Sequence, residues 1–229
     1  MGEIKKLLLI QPHSDDILFS ACHALFLPDF EVEVLTVEND PKRAEEDRRL
    51  YDFLNIPVHH LDLDFTDTSY YHHFKERAMK NVTDTNAYIT LNNFFGKDLL
   101  MEIEDALIEW VTSFQRKHKG WEILSPLGIG HPFHLFVRDK LESLASTMYY
   151  YREFPHSYKR RSLPQVAEME ENGYCMYKSF FTDDWGETKW ELAAKFYRSQ
   201  SSLLWYEQGY IKKQLPEEVW INKDNIMPF

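Results

Sequence analysis

The sequence predicts an α/β fold, a mostly parallel sheet with helices on both faces, and three observations carry that prediction. Leu7-Leu8-Leu9-Ile10 is an unbroken apolar run, the pattern of a strand buried on both faces as in a parallel sheet. Strand-like and helix-like stretches alternate over the first sixty or so residues, which implies βαβ units with right-handed crossovers. Residues 98–118 place Leu99, Ile103, Ala106, Leu107, Trp110, Val111 and Phe114 at helical spacing. The 229 residues suit one large domain across the whole chain, 1–229, with no internal repeat, low-complexity tract or linker.

The first strand stops at Pro12, which has no N–H to give to a ladder. Ser14 or Asp15 can then cap a helix running through Ile17, Leu18, Cys22 and Leu25. Residues 31–37 alternate with β-branched side chains and form a second strand. Asn39-Asp40-Pro41 opens a helix with Ala44, Leu50, Phe53 and Leu54, which ends before Pro57. Residues 58–63 are the third strand. From 64 to 97 the chain is polar and aromatic without a clean period, long for a structureless loop. The 98–118 helix has Lys117 and Lys119 near its negative end and Gly120 to stop it. Residues 122–125 are a fourth strand, followed by a helix through Leu135, Val137, Leu141 and Leu144. Strands are expected at 147–151, whose tyrosines we assign to a core, and at 174–181. Thr182-Asp183-Asp184 caps a last helix from about Trp185 to about Tyr206, with Trp190, Ala193, Ala194, Tyr197, Leu203 and Leu204 inward.

Composition narrows the function classes. A hydrophobic share of 44% and a charged share of 28% fit a soluble globular protein. A net charge of -11 disfavours a nucleic-acid-binding surface. Cys22 and Cys175 lie far apart in apolar contexts and read as reduced residues. The N-terminal apolar run is too short for a signal peptide, and no stretch is long and apolar enough to span a membrane. The expected location is cytoplasmic.

Two loops concentrate the chemistry, and each follows a predicted parallel strand and opens a helix. The first carries His13, Asp15 and Asp16; the second, Gly130-His131-Pro132-Phe133-His134, carries two imidazoles. Strand ends of one parallel sheet open on the same edge, so the loops can converge across a crevice. His13, Asp16 and His134 would form a set of two imidazoles and one carboxylate that leaves a position open for water. Asp15 would then be the base, and His131 would serve an oxyanion or a leaving group. Taken singly, the first loop could be a capped surface turn and the second a packing feature. His59-His60 lies in a strand, where neighbours face opposite sides, so joint ligation is disfavoured. His72-His73 reads as a solvated or substrate-lining pair, and Asp183-Asp184 as a helix cap.

These residues match a known pattern. Pro12-His13-Ser14-Asp15-Asp16 resembles the Pro/Ala-His-Pro-Asp-Asp-Glu signature of the LmbE-like (PIG-L) zinc-dependent de-N-acetylases. Gly130-His131-Pro132-Phe133-His134 is similar to their His-Pro-Asp-His motif. Arg43-Ala44-Glu45-Glu46 with Leu54-Asn55-Ile56 is similar to the family's Arg-x-x-Glu helix, and Tyr197-Arg198-Ser199-Gln200 to its Tyr-x-Ser-Gln element. The resemblance implies a Rossmann-like fold and hydrolysis of an acetamido group, usually on an N-acetylglucosamine-type sugar or glycoconjugate. It carries zinc, or Fe(II) or another divalent ion, onto His13, Asp16 and His134. It carries the base role onto Asp15, oxyanion or acid help onto His131, and substrate contacts onto Arg43 and Asp67. Ser14, Ile17 and Phe133 depart from the pattern; the last two remove carboxylates that could orient ligands from behind. A dinucleotide-binding oxidoreductase would want Gly-x-Gly-x-x-Gly where this chain has carboxylates. A metal-dependent phosphatase and a non-catalytic sugar-binding protein are the rival readings.

Overall fold

The structure, a computed structural model, describes residues 4–38, 40–61, 63, 89, 91–92, 95–144, 148–180, 186–200 and 215–223. The first strand, β1 (Lys5–Gln11), buries side chains alternately in two cores: Leu8 and Ile10 in one, Leu7 and Leu9 in the other. This two-sided burial is why the run is uninterrupted, since successive strand residues point to opposite faces. Next to β1 lies β2 (Phe30–Thr36), and beside β2 lies β3 (Val58–His60), both parallel. On the other side of β1 come β4 (Glu122–Pro126) and then β5 (Met148–Tyr151), again parallel. The far edge is antiparallel. There β6 (Tyr174–Phe180) pairs with β7 (Glu217–Asn222), and β7 pairs with β5. Among the described residues the sheet order is therefore β3-β2-β1-β4-β5-β7-β6.

The described helices are α1 (Asp16–Ser20), α2 (Pro41–Leu54), α3 (Lys97–Lys117), α4 (Pro132–Glu142), α5 (Leu163–Glu171) and α6 (Gly186–Phe196). α1, α2 and α6 cover the Leu7/Leu9 face; α3, α4 and α5 cover the Leu8/Ile10 face. Helices on both faces of a mostly parallel sheet confirm the expected fold class. No helix among the described residues is long and apolar enough to cross a membrane. Both cysteines are free, and Tyr150 and Tyr151 are core residues as expected.

Several elements differ from the sequence reading. The first helix breaks at Ala21 and continues as a 3-10 turn, Cys22–Phe26. The His23 backbone N–H leaves the helical pattern and donates to the buried Glu217 carboxylate at 2.9 Å. Phe53 is exposed and sits beside Phe196, 5.3 Å between ring centroids, rather than in the core. Ala194 is also exposed, while Leu192 points inward. α6 stops at Phe196 because Glu46 captures the next turn: its carboxylate accepts from the Ser199 N–H at 2.8 Å and from the Ser199 hydroxyl. The expected Asp183-Asp184 cap, residues 201–206 and the 64–88 stretch lie outside the described residues.

β7 went unread because it begins with two glutamates, both buried. Glu218 is matched by Arg152 at 3.1 Å, and Glu217 by His23 Nδ1 at 2.7 Å and Lys189 Nζ at 2.6 Å. Burial favours the neutral form of Glu217, but Lys189 and His23 outweigh it and hold the carboxyl down at about 2. A carboxyl depressed on folding contributes stability above its ordinary value of 4.5, and that contribution disappears as pH falls towards about 2. The contribution is about 3 kcal/mol. Denaturant unfolding is expected to show a Glu217→Gln deficit of that order near neutral pH that shrinks between about pH 4.5 and about pH 2. A deficit constant over this range would show that the pairing does not stabilise the fold.

Candidate metal centre

Beyond β1 the chain turns one way, through β2 to β3; beyond β4 it turns the other, to β5. The strand order thus reverses between β1 and β4, and in open α/β sheets ligands bind in the crevice at such a switch point. The two histidine loops leave the sheet at this point. The first is pinned by hydrogen bonds from Val37 N to Gln11 O (3.0 Å) and Glu38 N to Pro12 O (2.9 Å). It then closes as a turn, with Asp16 N donating to His13 O at 3.2 Å and His13 N donating to Asp16 Oδ2 at 2.8 Å. In the second, Gly130 has φ +76°, and a Cβ there would lie 2.9 Å from both His156 O and Ser162 Oγ. Glycine lets the segment at His156 close over the loop.

Three donor atoms meet inside this crevice. His13 Nδ1 lies 3.1 Å from Asp16 Oδ2 and 3.0 Å from His134 Nε2, and His134 Nε2 lies 3.2 Å from Asp16 Oδ2. All three side chains are buried. Burial opposes a charge on Asp16, but the His134 and His13 rings outweigh it and hold the carboxyl well below the usual range. His134 is raised to about 10: burial works against its charge, and Asp16, followed by Glu153, overcomes it.

Asp15 stands at the N-cap position of α1 but makes no side-chain cap. Its Oδ1 instead accepts from Arg43 Nη2 at 2.7 Å, and Arg43 Nη1 donates to Glu38 Oε2 at 3.1 Å. Arg43 is buried on α2, whose first turn Asp40 caps through Lys42 N and Arg43 N. Adjacent aspartates are thereby sent in two directions, Asp16 into the histidines and Asp15 towards α2.

His131 is the N-cap of α4, its ring Nδ1 accepting from Phe133 N at 3.3 Å. Burial, followed by the charges of His134 and His13, pushes it well below its ordinary value, so it is neutral. A neutral imidazole that accepts at Nδ1 carries its proton on Nε2. Ring nitrogens of His13, His131 and His134 come within 4.8 Å of one another, which suggests a three-imidazole set. Ligation through Nε2 would cost His131 its proton or its cap.

Sequence reasoning placed His13, Asp15, Asp16, Arg43, His131 and His134, and the structure brings all six to this crevice. Asp67 lies outside the described residues. It missed three neighbours. Glu38 Oε2 lies 4.0 Å from His13 Nε2, Glu153 Oε1 lies 3.6 Å from His134 Nδ1, and the His156 ring centroid is 5.2 Å from that of His131. No motif marks them; Glu38 alone had a local cue, falling just past the end of β2. His59 and His60 do face opposite sides, one to Glu33 at 2.8 Å and the other to Asp47 at 3.3 Å.

Fold and site together define a Rossmann-like α/β protein with a buried histidine–carboxylate cluster at its switch point. The chain matches no protein-family model and no curated protein. Among solved structures its fold is similar to the zinc-inhibited form of teicoplanin deacetylase Orf2, at TM-score 0.60 and 16% identity over 95% of this chain and 97% of that one. A deacetylase from the teicoplanin biosynthesis pathway has TM-score 0.58 and 18% identity over 94% and 97%. The deacetylase Dbv21, of the A40926 pseudoaglycone, has TM-score 0.58 and 18% identity over 96% and 97%. At these identities the likeness is one of fold.

Proposed function

We propose that this protein is a divalent-metal-dependent deacetylase that removes the acetyl group from the amide nitrogen of an amino sugar or its conjugate. The observation that carries the reading is the mutual approach of His13 Nδ1, Asp16 Oδ2 and His134 Nε2 to within 3.0–3.2 Å. Ligands about 2.0–2.1 Å from a tetrahedral zinc stand about 3.3 Å apart, so this donor set fits such an ion with little adjustment. Two imidazoles and one carboxylate also suit Fe(II). The deacetylase activity named for the structures of similar fold supports the same reading.

His13, Asp16 and His134 would hold the ion, which would supply Lewis-acid polarisation of the acetyl carbonyl and acidify water. Asp15 takes a proton from the attacking water and returns it to the departing amine. His131 donates its Nε2 proton in a hydrogen bond to the acetyl oxygen as negative charge develops there. A C–O bond forms, the C–N bond breaks, and acetate and a free amine leave in equal amounts. Assay of N-acetylglucosamine, its nucleotide and its glycoconjugates, with and without chelator, tests the reading. We expect metal-dependent release of acetate and amine in equal amounts. A chain that takes up no metal after zinc supplementation overturns it; metal without amine release points to sugar binding alone.

Arg43 carries the family expectation of substrate contact, yet it is paired with two buried carboxylates here. We assign it to positioning Asp15. Arg43→Lys keeps the charge and loses the two-pronged geometry. It is expected to lower kcat by about 10–100-fold, as small misplacements of a catalytic group do, with KM little changed. Steady-state kinetics showing raised KM at unchanged kcat would return Arg43 to the substrate.

A further inference from the structure

Glu153 is a fully buried carboxylate in the segment after β5, and no step above uses it. Its Oε1 accepts from the Gly128 N–H and from the Ile129 N–H at 3.1 Å, which fastens the loop leading to His134. The same oxygen lies 3.6 Å from His134 Nδ1, behind the ring and away from the three-donor cluster. Among the described residues neither His134 Nδ1 nor Glu153 Oε2 has a hydrogen-bond partner. Buried polar atoms are ordinarily partnered, and a buried carboxylate is costly unless something positive faces it.

We propose that Glu153 is the positioning residue of the metal centre, keeping the His134 proton on Nδ1 so that Nε2 presents a bare lone pair to the ion. The inference rests on the reading of His134 as a ligand. A neutral imidazole has one N–H, and a carboxylate facing a bare Nδ1 would set two lone pairs against each other. With the proton on Nδ1 that repulsion becomes attraction, and Nε2 is left bare for an ion lying among it, His13 Nδ1 and Asp16 Oδ2. Outer carboxylates do this for metal-bound histidines generally. Glu38, behind His13, is the weaker case: it stands 4.0 Å off and is matched by Arg43 at 3.1 Å. Glu153 has His134 as its ion-pair partner among the described residues. By fastening both the loop and the ring through one oxygen, it couples the path of the chain to the tautomer of the ligand.

Zinc affinity of the full chain, measured by competition with a chromophoric chelator, tests this. Glu153→Gln keeps an acceptor oxygen for Gly128 and Ile129, removes the charge and replaces the other oxygen by an amide NH2. It is expected to weaken zinc binding by about 10–100-fold. In a His134→Ala background the same change is expected to add nothing. Unchanged affinity in Glu153→Gln, or an equal loss with and without His134, overturns the proposal. If Glu153→Gln fails to fold, nitrogen-15 NMR of the zinc-loaded wild-type chain decides: a proton on His134 Nδ1 supports the proposal and a bare Nδ1 overturns it. A wild-type chain that binds no zinc would instead fail the reading of the site itself.

Discussion

Asp15→Asn is expected to retain the metal and lose turnover by about 10²–10⁴-fold, the worth of general acid–base catalysis. Asp15 and Asp16 are neighbours of one chemical type, and what separates them is direction. Asp16 Oδ2 lies 3.1 and 3.2 Å from two imidazole nitrogens, whereas Asp15 Oδ1 lies 2.7 Å from Arg43. Asparagine at position 15 keeps an oxygen for Arg43 while losing the capacity to take a proton. Arg43 stays matched by Glu38, so the fold is expected to hold. Elemental analysis together with kcat on one acetylated substrate gives the answer. An Asp15→Asn protein that is stripped of its ion would reverse the two roles.

Asp16→Asn is expected to lose metal first and activity as a consequence, with affinity falling by more than the about 100-fold that an outer partner can cost. The change removes the carboxylate that meets both imidazoles, and with it the main influence that raises His134 to about 10. In the metal-free chain Asp16 and His134 also form a buried ion pair. Removing one partner of such a pair costs about 3–5 kcal/mol. A lower Tm without metal, and little recovery on adding zinc, is therefore the expected pattern. Wild-type zinc affinity in this variant would leave the three-imidazole set, with His131, as the better description.

Much of this was legible in the chain because the features were local. Leu7 to Ile10 announced a central strand, Asp40-Pro41 a capped helix, and the two histidine loops a shared crevice. What stayed hidden depends on contacts between distant residues. Glu217 and Glu218 look wrong for a buried strand until Lys189, His23 and Arg152 are brought to them. The break at Ala21 follows from the bond between His23 and Glu217, and the end of α6 from Glu46 reaching Ser199. Ile17 and Phe133 suggested a centre short of supporting carboxylates. The structure sets Glu38 and Glu153 behind the two histidines instead, and neither lies in the motifs. Arg43 was expected to contact substrate; its pairing with Asp15 was invisible because 28 residues separate them.

The distance along the chain between the two histidine loops has a consequence for assembly. His13 and His134 are 121 residues apart, and they meet only once β4 has docked beside β1. That pairing must close over β2, α2, β3 and α3, so it is slow to form compared with the local helices. Emerging from a ribosome, the chain would hold two of its three donor atoms, those of His13 and Asp16, for much of its synthesis, with Glu153 arriving later still. No partial chain ending before β4 presents the set. For the proposed ligand set, metal capture would come late, after β4 has docked beside β1.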